Sequence, residues 1–189
     1  MIDLVYPVER APLVGGRISG KACEMLPVVE ATGLVTGQTC RQHGHSGSML
    51  LHPVVHLQIM DRMQRIYLQR RSLTKDLLPG YWDTAVGGHL SYGEYYLEAL
   101  FREAEEELGF HDFNPIYLKT YVNETKLERE LVGVFAAIGS FELHPDNEEV
   151  MEGRWWTQTE IEEALGKDVL TPNFEQEYLA IKDSLLALL

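Results

Sequence analysis

Six glutamates crowd the stretch 87–110, GGHLSYGEYYLEALFREAEEELGF: Glu94, Glu98, Glu103, Glu105, Glu106 and Glu107. On a helix they span about four turns. Like charges at i,i+4 cost about a few tenths of a kcal/mol each, so the crowding needs either a solvated acidic face or a cation to offset it. On a helical wheel over 94–108, Leu97, Leu100, Phe101, Ala104 and Leu108 form one apolar stripe, the expected buried face. Glu103, Glu106 and Glu107 fall on one flank of that stripe, Glu98 and Glu105 on the other. The spacing i, i+3, i+4 lets three carboxylates converge on one region, and such oxygen sets suit hard divalent cations like Mg²⁺ or Mn²⁺. Glu98 and Arg102, at i,i+4, have the spacing of an ordinary exposed pair. By spacing alone, a metal face and a solvated face both stay open.

The elements that must carry these residues follow from punctuation and periodicity. Residues 1–25 are an irregular lead-in. MLPVVEATGLVTGQTC has the pattern of a hairpin, and 26–189 of one domain. Residues 49–60 and 65–71 are strand-like, with Leu78-Pro79-Gly80 punctuating the following loop. After the acidic helix, 116–123 and 128–140 are two further strands, HPDNEEV a turn and GRWWT a short strand. TQTEIEEALG starts a helix on a threonine cap, and PNFEQEYLAIKDSLLALL a last one with Pro172 at its start. Mixed strands with a few helices imply a layered α/β domain. The net charge of −13 disfavours nucleic-acid and anionic-membrane partners, which want basic surface, yet a bound cation would reverse the sign locally. Cys23 and Cys40 make neither a zinc spacing nor a disulfide framework. With no leader pattern at the start and no run of transmembrane length, a reduced, cytoplasmic setting is expected. The apolar end SLLALL would finish the core or contact a second subunit in a homodimer.

The stretch also matches, at every specified position, the pattern G-x5-E-x7-R-E-U-x-E-E-x-G-U, with U a bulky apolar or small aliphatic residue. The positions are Gly88, Glu94, Arg102, Glu103, Ala104, Glu106, Glu107, Gly109 and Phe110. In this the chain resembles the Nudix hydrolases. The resemblance implies a Nudix fold, an α/β/α sandwich with a mixed β-sheet, here with an N-terminal hairpin extension. It further implies that Glu103, Glu106 and Glu107, helped by the Gly88 carbonyl, hold Mg²⁺ or Mn²⁺, and that Glu94 and Arg102 brace the loop against the helix. Metal ions on a diphosphate stabilise the leaving group and lower the pKa of water, and a carboxylate then takes the proton. Glu103 is the first candidate base and Glu149, in the loop before Trp155-Trp156, the second.

Over roughly 26–140, HGHSGSMLLHPVVHLQI and YLQRRSLTKDLLPGYWDTAVGGHL resemble the isopentenyl diphosphate isomerase branch of that superfamily. The likeness implies a second site, for Zn²⁺ or Mn²⁺, at His45, His52, His89, Glu128 and Glu130. Glu128 and Glu130, two apart on a strand, share one face. Structural roles for such histidines and solvent exposure for such glutamates remain the alternatives, and His43, His56, His111 and His144 have no comparable support. The likeness also brings Arg70, Arg71 and Lys75 to the diphosphate, where Arg matches phosphate oxygens bidentately. Tyr81, Trp82, Trp155 and Trp156 suit core packing more than base stacking. The isomerase pattern departs at Gly87, which stands where the catalytic cysteine belongs. The expected activity is therefore metal-dependent hydrolysis of a diphosphate linkage in a nucleoside diphosphate or a nucleoside-diphosphate-linked small molecule. The alternatives are an isopentenyl diphosphate isomerase and a non-catalytic nucleotide-binding or sensor domain.

Overall fold

A computed structural model describes residues 24–75, 77–145 and 150–189. Cys23, nearly all of the lead-in, Glu149 and the middle of the HPDNEEV turn lie outside the described residues. Strands β1 (Met25–Val29) and β2 (Val35–Cys40) form the expected hairpin as a separate two-stranded sheet. A one-turn helix α1 (Arg41–Gly44) leads to β3 (Leu51–Met60) and β4 (Ile66–Arg71). Two short strands follow, β5 (Trp82–Asp83) and β6 (Val86–His89), then helix α2 (Tyr96–Leu108). The chain continues through β7 (Ile116–Glu124), β8 (Arg129–Ile138) and β9 (Val150–Trp156) to helices α3 (Gln158–Ala164) and α4 (Pro172–Leu186).

The larger sheet has seven strands in the path β5-β4-β3-β8-β7, with β6 paired to β3 and β9 to β4. It is mixed: β3 and β8 run parallel over their full length, and the other pairs are antiparallel. All ten residues of β3 are buried, as expected for a strand covered on both faces. Val55, Leu57 and Ile59 pack with Leu100, Ala104 and Leu108 of α2. Val54 and Met60 face the other way, toward Ile181 of α4 and toward Phe174 and Tyr178. The result is helix, sheet and helix in three layers. The apolar C-terminal end finishes this second core, with Leu185 fully buried and Leu186 and Leu188 packed against it. No helix among the described residues is long and apolar enough to cross a membrane.

The helix ends follow their sequence signals. Thr171 accepts from the Phe174 amide ahead of Pro172, and Thr157 accepts from the Glu160 amide. Gly109, with φ of 57°, closes α2 in the left-handed region that favours glycine. Two expectations need correction. Leu97 is 47% exposed, while Ala99 is fully buried, so the buried face of α2 is turned toward its acidic flank. Glu98 does not pair with Arg102; its carboxylate accepts the Tyr95 amide at 2.9 Å and closes the first turn. In addition, the segment 82–89, expected as loop, contributes β5 and β6.

Candidate active site and metal centre

The rotation of α2 has a cause in β6. Gly88 presents no side chain, and the acidic flank fills the space. A Cβ on Gly88 would collide with the Glu103 side chain. Glu107, only 6% exposed, accepts from the Gly87 amide at 3.2 Å and from Gln69 Nε2 at 3.1 Å. Burial, reinforced by the Glu103 charge, pushes the Glu107 carboxyl up to about 8. Burial likewise raises Glu103, with Arg102 drawing it back only in part. Arg102 ties the acids together. Its Nε donates to Glu94 Oε1 at 2.8 Å and its Nη2 to Glu94 Oε2 at 2.9 Å. Its Nη1 donates to Glu103 Oε1 at 2.7 Å and lies 3.3 Å from Glu106 Oε2. Nη2 also donates to the His89 carbonyl at 2.9 Å, and Glu94 accepts the Ser91 amide. The acids therefore stay close to β6 while holding more negative charge than one arginine offsets. A divalent cation fits such a set.

The opposite face of β6 and β3 carries the histidines. His89 pairs in register with Val54, and Glu130 with His52, so each pair shares a face. His45 enters at the end of α1, and its Nε2 lies 3.0 Å from His89 Nε2. Its Nδ1 lies 2.9 Å from Glu128 Oε2. Two sets have ligand atoms all within 4.8 Å of one another: His45, His52 and His89, and His52, Glu128 and Glu130. His52 is fully buried; its Nδ1 meets the Leu50 carbonyl at 3.0 Å, and its Nε2 has no partner. Burial lowers His52 and takes His89 well below the ordinary imidazole range, which keeps both neutral. Burial raises Glu130, with Glu128 adding to it, whereas on Glu128 the His45 contact outweighs burial and lowers it. Neutral imidazoles, one with an orphaned buried nitrogen, beside two carboxylates make a donor set suited to Zn²⁺ or Mn²⁺.

The basic residues hold the neighbouring loop. Arg71 donates to the Leu77 carbonyl and pairs with Asp83 at 3.3 Å; it shares a strand face with Gln69, which reaches Glu107. Lys75 acts electrostatically on Glu107. Arg70, on the other face, donates to the Gly80 carbonyl and lies 3.2 Å from Glu152. The tryptophans pack: Trp82 meets Trp156 edge-on, Arg154 lies 3.6 Å over the Trp156 ring, and Trp155 meets Tyr67.

Sequence reasoning passed over one group. His56 Nδ1 lies 2.8 Å from Glu177 Oε2, and Gln58 Nε2 donates to Glu177 Oε1 at 2.6 Å. The Tyr121 hydroxyl lies 2.8 Å from Glu177 Oε2 and 2.9 Å from Asn173 Oδ1. Burial opposes charging of His56, but the Glu177 carboxylate outweighs it and pushes the imidazole up to about 9. The signal was present in α4: Glu177 sits among Phe174, Tyr178 and Ile181 on the buried stripe, where a carboxylate needs partners.

The NUDIX domain family model matches residues 50–174. An uncharacterised Nudix hydrolase of Yersinia pestis is 34% identical over 140 residues, covering 73% of this chain and 75% of that protein. An isopentenyl-diphosphate Δ-isomerase of Escherichia coli O127:H6 is 30% identical over 138 residues, 70% of this chain and 76% of its own. Among solved structures, DR0079 from Deinococcus radiodurans superposes with a TM-score of 0.69 at 24% identity, over 81% of this chain and 96% of that one, a likeness of fold.

Proposed function

The chain belongs to the Nudix family of pyrophosphate-bond hydrolases, and we propose that it cleaves a diphosphate linkage in a nucleoside diphosphate or nucleoside-diphosphate-linked small molecule, in the cytoplasm and with Mg²⁺ or Mn²⁺. The observation that carries this reading is the seating of Glu103 and Glu107 against Gly88 and Gly87, with Glu106 beside them on Arg102. Glu103, Glu106, Glu107 and the Gly88 carbonyl would hold the ion. A divalent ion held there would supply positive charge for the leaving group and lower the pKa of water. Glu103 is the candidate base, with Glu149 the second. Glu94 keeps Arg102 in place against the His89 carbonyl. Arg71 and Lys75, on the acidic side of β4, and Arg70 at the strand's end are candidates for diphosphate oxygens. His45, His52, His89, Glu128 and Glu130 would hold a second ion, Zn²⁺ or Mn²⁺.

The assembled histidines favour a second reading, isopentenyl diphosphate isomerisation, since the isomerase pattern carries the same set. Gly87 argues against it: glycine has no group to move a proton at an alkene. The test is a panel of diphosphates incubated with Mg²⁺ or Mn²⁺, with products identified. Release of phosphate or a nucleoside monophosphate is expected. Conversion of isopentenyl diphosphate to its dimethylallyl isomer would establish the second reading, and an inert protein would point to a sensor domain.

A further inference from the structure

Gly87 and Gly88 direct their missing side chains to opposite faces of the sheet. On the α2 face, the space at Gly88 is taken by Glu103. On the α4 face, a Cβ on Gly87 would lie 3.5 Å from His56 Cδ2, 3.6 Å from Thr84 Cγ2 and 3.7 Å from His56 Nε2. The edge of the His56 ring therefore borders the half-buried Gly87. The ring is held from behind, where Glu177 takes Nδ1 and is itself fixed by Gln58 and Tyr121. Three such donors keep a buried carboxylate ionised, so Nδ1–H of the His56 imidazolium donates to Glu177 and its Nε2–H is turned outward. Neither candidate metal set includes His56 or Glu177.

We propose that the His56–Glu177 dyad is a substrate-recognition site, in which His56 Nε2 hydrogen-bonds an oxygen of the organic group attached to the diphosphate, where that group passes Gly87. This rests on the reading that the diphosphate sits at the α2 carboxylates, whose Glu107 shares the Gly87 amide. Glu177 is the positioning residue. A hydroxyl, carbonyl or phosphate oxygen beside Gly87 satisfies the imidazole; a hydrocarbon chain there strands a desolvated polar nitrogen. Sites built around a hydrogen bond reject analogues that lack the partner atom far more strongly than apolar pockets discriminate by size. The dyad would thus select a polar organic group such as a sugar or nucleoside over a prenyl chain.

A reporter thiol tests this directly. Gly87→Cys adds a side chain whose first atom meets only ordinary contacts. Iodoacetamide alkylation, followed by peptide mapping, separates that thiol from Cys23 and Cys40. Next to an imidazolium a thiol ionises more readily. Adding His56→Gln should slow its alkylation at pH 7 by about tenfold, and adding Glu177→Gln should slow it as well. With Mg²⁺ present, ADP should protect the thiol and geranyl diphosphate should not. An inert thiol, a rate indifferent to His56→Gln, protection by neither probe, or equal protection by both would overturn the proposal. Protection by ADP with no hydrolysis of any diphosphate would instead sink the catalytic reading and leave the recognition site standing.

Discussion

His56 and Glu177 show what one pair of residues contributes at the scale of side chains. His56 is raised to about 9 from 6.5, and Glu177 is lowered because His56 and its other donors outweigh burial. A raised histidine stabilises the fold fully below its unfolded pKa and loses that contribution as pH climbs through about 9. A depressed carboxylate stabilises above its unfolded pKa and loses the contribution as pH falls. Their joint contribution should therefore be largest between about pH 4.5 and 6.5 and decline toward pH 9. Urea unfolding at several pH values should show a steeper loss of stability between pH 6.5 and about 9 in the native chain than in His56→Gln. Glu177→Gln, which leaves a buried imidazole without its counter-charge, should cost about 3–5 kcal/mol; an unchanged midpoint would contradict the buried pair. The acids of α2 were legible because carboxylates at helical spacing follow from the period alone. Glu177 was legible only as an acid on the buried stripe of α4, since its partners His56 and Gln58 come from a strand distant in sequence.

At the scale of elements, long periodic segments were readable and short pairing strands were not. β3, β4, β8, α2 and α4 carry their pattern in their own side chains. β6 is Val-Gly-Gly-His, which has little strand propensity of its own; its hydrogen bonds to β3 make it a strand. The wheel of α2 placed its apolar stripe but not its rotation. That was decided by the room that Gly88 leaves for Glu103 and by the Gly87 amide that Glu107 accepts, properties of the neighbouring strand. Leu97 and Ala99 exchange exposure for this reason. The packing of α4 is as specific. Phe174 is 1% exposed in the core beneath β4 and β9, and Phe174→Ala should destabilise by about 3–5 kcal/mol through lost burial and a residual cavity. Thermal or urea unfolding measures it, and a loss below 1 kcal/mol, about the scale of a surface change, would contradict the core assigned here.

At the scale of the molecule, one sheet separates two candidate ion sites, with β6 contributing to both. Gly88 borders the α2 acids and His89 enters the histidine cluster, while Arg102 links the two by its bonds to the acids and to the His89 carbonyl. The family and its layered fold were legible from the α2 pattern together with the strand–helix order. The assembly of the second cluster was legible only through resemblance, because residues 45, 52, 89, 128 and 130 come together through register between β3, β6 and β8. Metal analysis after chelation and Zn²⁺ or Mn²⁺ titration should find one fewer equivalent in His45→Ala and in His52→Ala than in the native chain. His45 is half-buried, so its variant should keep the fold; unchanged stoichiometry in both would make the histidines structural.

The central claim concerns the acidic face of α2, and Glu107 probes it most directly. Glu107→Gln keeps an acceptor for the Gly87 amide and fixes the neutral state that burial favours for this carboxyl, so circular dichroism and the unfolding midpoint should match or exceed those of the native chain. Mg²⁺- or Mn²⁺-dependent release of product from a cleaved diphosphate, measured on both proteins, should fall by about 100-fold or more in the variant. Full activity in a folded Glu107→Gln protein would contradict the metal-bearing role of this helix.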